Sequence, residues 1–155
     1  MRLTLACLLT LSPLPVLAQE VDLSWLMEAH YAAISTTSES VTGDIDLSAE
    51  DWVWTVDFQG GASLDASFVE QRSSAWMPGD GEVWAGAVLA VEEDPGELEN
   101  GNTICGEDEA SFIVFTPIDA AQIGAELQIA VFSGETPPEN IEDPSLCGTY
   151  NYAIR

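Results

Sequence analysis

Apolar and polar residues alternate with a period of two through most of this chain, and that pattern leaves little room for helix. In DWVWTVDF, residues 51–58, Trp52, Trp54, Val56 and Phe58 share one face. In SVTGDIDLS, Val41, Ile45 and Leu47 oppose Asp44 and Asp46. In ASLDASFVE, Leu64, Ala66 and Phe68 oppose Asp65 and Ser67. Successive side chains of a strand point to opposite faces, so each stretch reads as a strand with one dry and one wet side. Gly60-Gly61 supplies a tight turn of hairpin type between two of them.

Further along the pattern changes. VWAGAVLAVEE, from residue 83, is a longer apolar run that predicts a strand covered on both faces or curved. ASFIVFTPI and AELQIAVFSG are rich in β-branched and aromatic residues and read as strands. GTYNYAIR closes the chain as a last strand, with Tyr150, Tyr152 and Ile154 on one face. Between the strands lie SSAWMPGDGE at 73–82, the acidic stretch EEDPGELENGNTICGEDE at 92–109 and the proline-rich ETPPENIEDPSLC, all loop-like. DAAQIG at 119–124 predicts a single helical turn. One segment departs from this plan. Leu23, Leu26, Met27, His30 and Ile34 recur at helical spacing, with Asp22 or Ser24 as a cap, and predict a short helix running into a strand. The resulting expectation is an all-β fold: a small antiparallel barrel or sandwich of about seven or eight strands with a short N-terminal helix. An open α+β layer is the alternative.

The first 18 residues, MRLTLACLLTLSPLPVLA, have the three-part layout of a secretory signal peptide. Arg2 is followed by an apolar run to Leu11, proline breaks and a small-residue end. The run falls short of the ~20 residues that a spanning helix needs. Cleavage after Ala18 would leave one domain, residues 19–155, with no membrane span, in the periplasm or outside the cell. Cleavage also removes Cys7, so that three cysteines become two, Cys105 and Cys147, in an oxidising setting. A metal site or a redox pair wants closer spacing and further ligands, and the chain has one histidine and no Cys-x-x-Cys. A structural disulfide between Cys105 and Cys147 is therefore expected.

Charge limits the partners. The chain has 27 acidic residues against three arginines and no lysine, for a formal net charge of −24. Beyond the leader only Arg72 and Arg155 remain as fixed cations. Such a surface repels nucleic acid and anionic membrane faces. It suits a salty medium, cations or a basic protein partner.

The chemistry-bearing motifs are few. His30 in EAHYAA is the only histidine, and no serine lies in a G-x-S-x-G context; we read it as a packed or surface residue. With the cysteines bridged, thiol catalysis is excluded. A carboxylate-dependent hydrolase remains an alternative function, although nothing in the sequence selects the two acids it requires. Counting from Asp44, Ala49 and Thr55 stand where a calcium loop needs glycine and glutamate, so GDIDLSAED is no EF-hand. No metal site or cofactor is assigned; the 92–109 loop could at most collect a cation weakly from oxygen ligands. If Trp52 and Trp54 both point into a barrel they would line a pocket for a small apolar ligand.

ESVTGDIDL, the pattern ICG…FIVFTP…LQIAVFSG and the ending LCGTYNYAIR resemble small secreted proteins of Gram-negative bacteria without known activity. That resemblance implies a periplasmic or secreted location and transfers no catalytic residue. The overall plan is also similar to lipocalin-like and lysozyme-inhibitor-like barrels, by architecture alone. The function expected from these observations is a non-enzymatic binding or interaction module with a strongly acidic surface.

The cysteine reading has a direct consequence. Protein isolated from its exported location should show no free thiol under denaturing, non-reducing conditions. Replacing Cys105 and Cys147 by serine frees a loop of about 42 residues in the unfolded chain and should lower stability by roughly 2–4 kcal/mol in chemical denaturation.

Overall fold

The computed structural model describes residues 23–26, 28–79, 81–99, 101–119 and 124–155. The expected leader, and Asp22 and Met27 of the expected N-terminal helix, lie outside them. Eight antiparallel strands form a closed up-and-down barrel: β1 (Ala29–Ala33), β2 (Ile45–Glu50), β3 (Val53–Phe58), β4 (Ser63–Ser74), β5 (Trp84–Val91), β6 (Phe112–Pro117), β7 (Glu126–Phe132) and β8 (Leu146–Ile154). Each strand pairs with its neighbours in sequence. The barrel closes where β1 meets β8, with Tyr31 opposite Ile154 and Ala33 opposite Tyr152. Closure leaves no open edge to pair with another chain.

The first segment differs from its helical reading. Leu23–Leu26 make a turn, with Leu26 N donating to the Leu23 carbonyl at 2.9 Å, and Ala29 already begins β1. The only helix among the described residues is α1 (Thr36–Val41), between β1 and β2. Ser35 caps it: its hydroxyl accepts from Ser38 N, and Ser35 N donates to the Ser38 hydroxyl. The helical spacing at 23–34 loses because β1 is needed on both sides, pairing with β2 and with β8. Ile34, which that spacing placed on the buried face, is 48% exposed. The helical turn expected at 119–124 falls mostly outside the described residues.

From Ile45 on, the alternation sorts most side chains as read, whereas Val41, read on the same strand face, is the last residue of α1. Ile45, Leu47, Trp54, Val56, Phe58, Leu64 and Ala66 are buried in the barrel core, and Asp46, Asp57 and Asp65 between them are exposed. An eight-stranded barrel has an interior that side chains just fill. Here three tyrosines enter it, and each hydroxyl has a fixed partner. Tyr31 donates to the Gly124 carbonyl at 3.1 Å, Tyr150 donates to the Ile104 carbonyl at 2.8 Å, and the Tyr152 hydroxyl lies 2.7 Å from Thr42 Oγ1. Trp54 meets Phe115 edge to face, with ring centroids 6.2 Å apart.

A second core lies outside the barrel wall. Trp76, Val88, Val114, Ala130, Phe132 and Ile141 are buried together, with Trp84, Phe112 and Leu146 packed on them. Residues 133–145, joining β7 to β8, fold back over the outer face of β5–β7 and meet the segment after β4. Ile141 N donates to the Ala75 carbonyl at 2.9 Å, and Arg72 donates to the Pro138 carbonyl at 2.7 Å. Trp76 is fully buried between them; its indole N–H donates to the Arg72 carbonyl and its own carbonyl accepts from Gln128. This is why β5 itself, WAGAVLAV, is apolar throughout: it is covered on both faces. Gly86 on β5 makes room for the indole.

The bridge between Cys105 and Cys147, with Cα atoms 4.8 Å apart, ties the β5–β6 connection to the start of β8. Leu98, Ile104, Cys105 and Ala110 of that connection reach into the barrel core. It therefore plugs one end of the barrel, and the bridge holds the plug to the wall.

Two outcomes follow from this packing. In Gly86→Ala the new Cβ would stand 2.5 Å from Trp76 Nε1 and 2.7 Å from Cδ1. A rigid buried indole cannot yield easily, so stability should fall by roughly 1–3 kcal/mol, with a changed near-ultraviolet circular dichroism band. An unchanged melting temperature would contradict the packing. The second concerns alkali. Burial pushes the Tyr150 hydroxyl up to about 12 from its ordinary 10.0. Tyr152 moves the same way, by burial first, with the Thr42 bond opposing and Tyr150 adding. The folded state holds these protons more tightly than the unfolded chain. Their contribution is thus fully present below pH 10 and is lost as pH rises through about 12. The melting temperature should drop steeply above pH ~10, and Tyr150→Phe should flatten that drop.

Candidate functional site

The two tryptophans expected to line a pocket are not brought together. Trp54 lies inside the barrel, 7% exposed. Trp52 stands in the two-residue turn between β2 and β3 and is 61% exposed. The alternation that placed them on one face stops at the turn: Asp51 and Trp52 take φ of 49° and 68°, and Val53 is the first residue of β3. Among the described residues, Thr42, Val56, Ile104, Tyr150 and Tyr152 line a small void in the barrel core of about 10 Å³. That is room for one water at most.

His30 lies on the outer wall. Its Nδ1 is 2.9 Å from Asp46 Oδ1 and its Nε2 is 3.6 Å from Asp44 Oδ2. Asp44 also accepts from Arg155 at 3.2 Å and from Ala33 N at 3.0 Å. Both ring nitrogens thus face carboxylates, and neither faces a hydroxyl or thiol that the ring could activate. The arrangement is a surface polar network, which ties β1 and β2 to Arg155.

One concave feature among the described residues is acidic. A groove of about 630 Å³ runs between the end of β5, the residues before β6 and the start of the β7–β8 connection. Glu92, Glu93, Asp94, Glu109 and Glu135 line it. Asp94 builds the loop: one oxygen accepts from Gly96 N at 2.7 Å and the other from Ala110 N at 2.6 Å. Glu92 accepts from the Ser67 hydroxyl at 2.6 Å. Glu93, Glu109 and Glu135 are exposed. Among the described residues both arginines are engaged elsewhere, Arg72 with Glu70 and Arg155 with Asp44. The groove carries its negative charge without a basic neighbour.

Among the described residues, no three of the His, Cys, Asp and Glu side chains converge as a metal ion would need. The buried polar residues are Ser38, Thr42, Thr116 and Gln128, so no carboxylate is buried there. The sequence marked residues 92–109 as an acidic loop but carried no sign that Glu135 joins it. The groove brings together three separated segments, and no local pattern records that convergence.

Comparison of the chain with family models, with curated proteins and with solved structures finds no match.

Proposed function

We propose that this protein is an exported, non-enzymatic binding module that receives a basic protein partner on its acidic surface, with the groove of Glu92, Glu93, Asp94, Glu109 and Glu135 as the deepest part of that surface. The observation that carries this reading is the uncompensated charge. Five carboxylates line one groove while both arginines of the described residues are paired elsewhere. Like charges held together raise the potential of a cleft and attract cationic groups from solution. A basic partner would relieve the repulsion and encounter the surface quickly. The leader-like N-terminus and the cysteine pair favour an oxidising compartment.

Two other readings have less to stand on. A small apolar ligand would need space that the barrel interior, with its void of about 10 Å³, does not offer. A carboxylate hydrolase would need one acid with a raised pKa beside another across a cleft. The groove acids are mostly exposed, and the one that is partly buried, Asp94, is occupied with backbone N–H groups.

The reading predicts salt-dependent capture. Immobilised protein should retain a high-pI protein from its native compartment at about 0.05 M salt and release it near 0.5 M, where charges are screened within a few Å. A variant carrying Glu92→Gln, Glu93→Gln, Glu109→Gln and Glu135→Gln should retain clearly less. If nothing is retained at either salt concentration, or the variant captures equally well, the reading fails.

A further inference from the structure

The hairpin between β2 and β3 carries an aromatic side chain that the core does not use. Its loop is Asp51-Trp52, with φ of 49° and 68°, both in the left-handed region. Two such residues in a two-residue hairpin give the type I′ geometry, which Asn-Gly or Asp-Gly fills most readily. A bulky residue with positive φ is a genuine outlier. Glycine at position 52 would close the same turn without that strain, and burial offers no compensation, since the indole is 61% exposed.

Trp52 is nevertheless held in place. Its carbonyl accepts from Phe68 N at 2.9 Å, and its ring rests on the Phe68 ring with centroids 5.5 Å apart and planes tilted by 42°. Val69, at the bulge in β4 that follows Phe68, is a further exposed apolar residue, at 44%. Trp52 is flanked by Glu50 and Asp51, which are exposed and outside the ion pairs of the described residues. Along β4, the residue before Phe68 is Ser67, whose hydroxyl holds Glu92 of the groove. Ser67 and Phe68 point to opposite faces of the strand, so the indole and the groove are separate features of the surface.

An exposed π face beside carboxylates favours one chemistry above others. A guanidinium can lie over the indole and reach an acid in the same plane. Charge steers an encounter, and rigid aromatic anchors supply much of the binding at an interface. We propose that Trp52, held against Phe68 and flanked by Glu50 and Asp51, is the anchor on which this protein docks an arginine side chain of a basic protein partner. The inference rests on the acidic-surface reading above and adds to it the residue that grips. It also accounts for the strained turn: strain held at a loop tip marks a side chain positioned for use.

The test uses an acetylated hexa-arginine peptide as probe, titrated at low salt into wild-type protein, Trp52→Leu and Trp52→Gly. Nuclear magnetic resonance of the indole N–H groups gives the site, and calorimetry gives the affinity. The Trp52 signal, assigned by its loss in the variants, should shift saturably in the wild type. Both variants should bind about fivefold more weakly, the ratio that about 1 kcal/mol of cation–π attraction corresponds to. Trp52→Gly should melt no lower than the wild type, because it relieves the turn. The Glu→Gln groove variant should still show the Trp52 shift. Peptide bound by the wild type with the Trp52 signal unmoved, or bound equally by both variants, overturns the anchor and leaves the acidic-surface reading standing. No binding of the peptide to wild-type protein at low salt overturns that reading and the anchor with it. Should one variant fail to fold, the other assigns the signal and the wild-type titration decides the location.

Discussion

The pairing of β1 with β8 is the contact on which the rest of the structure depends. Without it the sheet would end in two open edges and a half-wrapped core. With it, Ala33 stands opposite Tyr152 and Tyr31 opposite Ile154, and the tyrosines of both strands are committed to the interior. Each buried hydroxyl then needs a partner, since an unpaired one costs roughly 1–3 kcal/mol. The partners come from outside the sheet: Thr42 at the end of α1, the Ile104 carbonyl in the plug and the Gly124 carbonyl before β7. Closure therefore fixes where the helix and the connections must sit. Ser38 of α1 strengthens the same seam, its hydroxyl donating to the Asn151 carbonyl of β8 at 2.9 Å.

The outer core explains an asymmetry around the barrel. On β2–β4 the outward residues are Asp46, Asp57 and Asp65, with hydroxyl partners such as Thr55 and Ser63. On β5–β7 they are Val88, Val114 and Ala130, under Trp76 and Ile141. One side of the wall meets water and the other meets the folded-back β7–β8 connection. Losing a fully buried indole typically costs roughly 3–5 kcal/mol, so Trp76 ranks among the main contributors to this cover. Arg72, one of the few cations, is spent here on the Pro138 carbonyl and Glu70. Placing a scarce cation on the fold leaves the groove acids without one, which links the packing of the cover to the charge of the groove.

Function, as proposed, follows from what the barrel leaves on its surface. The interior is filled, and the groove and Trp52 lie on the outside. Charge of one sign over a rigid wall gives range and speed of encounter, while specificity needs a shaped contact. The Asp51-Trp52 turn provides a fixed aromatic edge beside that charge.

The period of two was sufficient to read an all-β chain, the faces of β2, β3 and β4, and the double burial of β5, because strand alternation is a local property that side chains record in order. The count of cysteines and the lack of other ligands were sufficient for the Cys105–Cys147 bridge. Three things were decided only by tertiary structure. The helical spacing at residues 23–34 gave way to β1, because closing the barrel rewards a strand there with two sets of backbone hydrogen bonds. Trp52 left the face it shares by count with Trp54, because a two-residue turn reverses the chain at that point and breaks the alternation. The acidic groove arose from residues 92–94, 109 and 135, which meet through the return of distant connections to one rim. Local pattern records which side of a strand a residue occupies; it carries no information on which loops become neighbours once the sheet has closed.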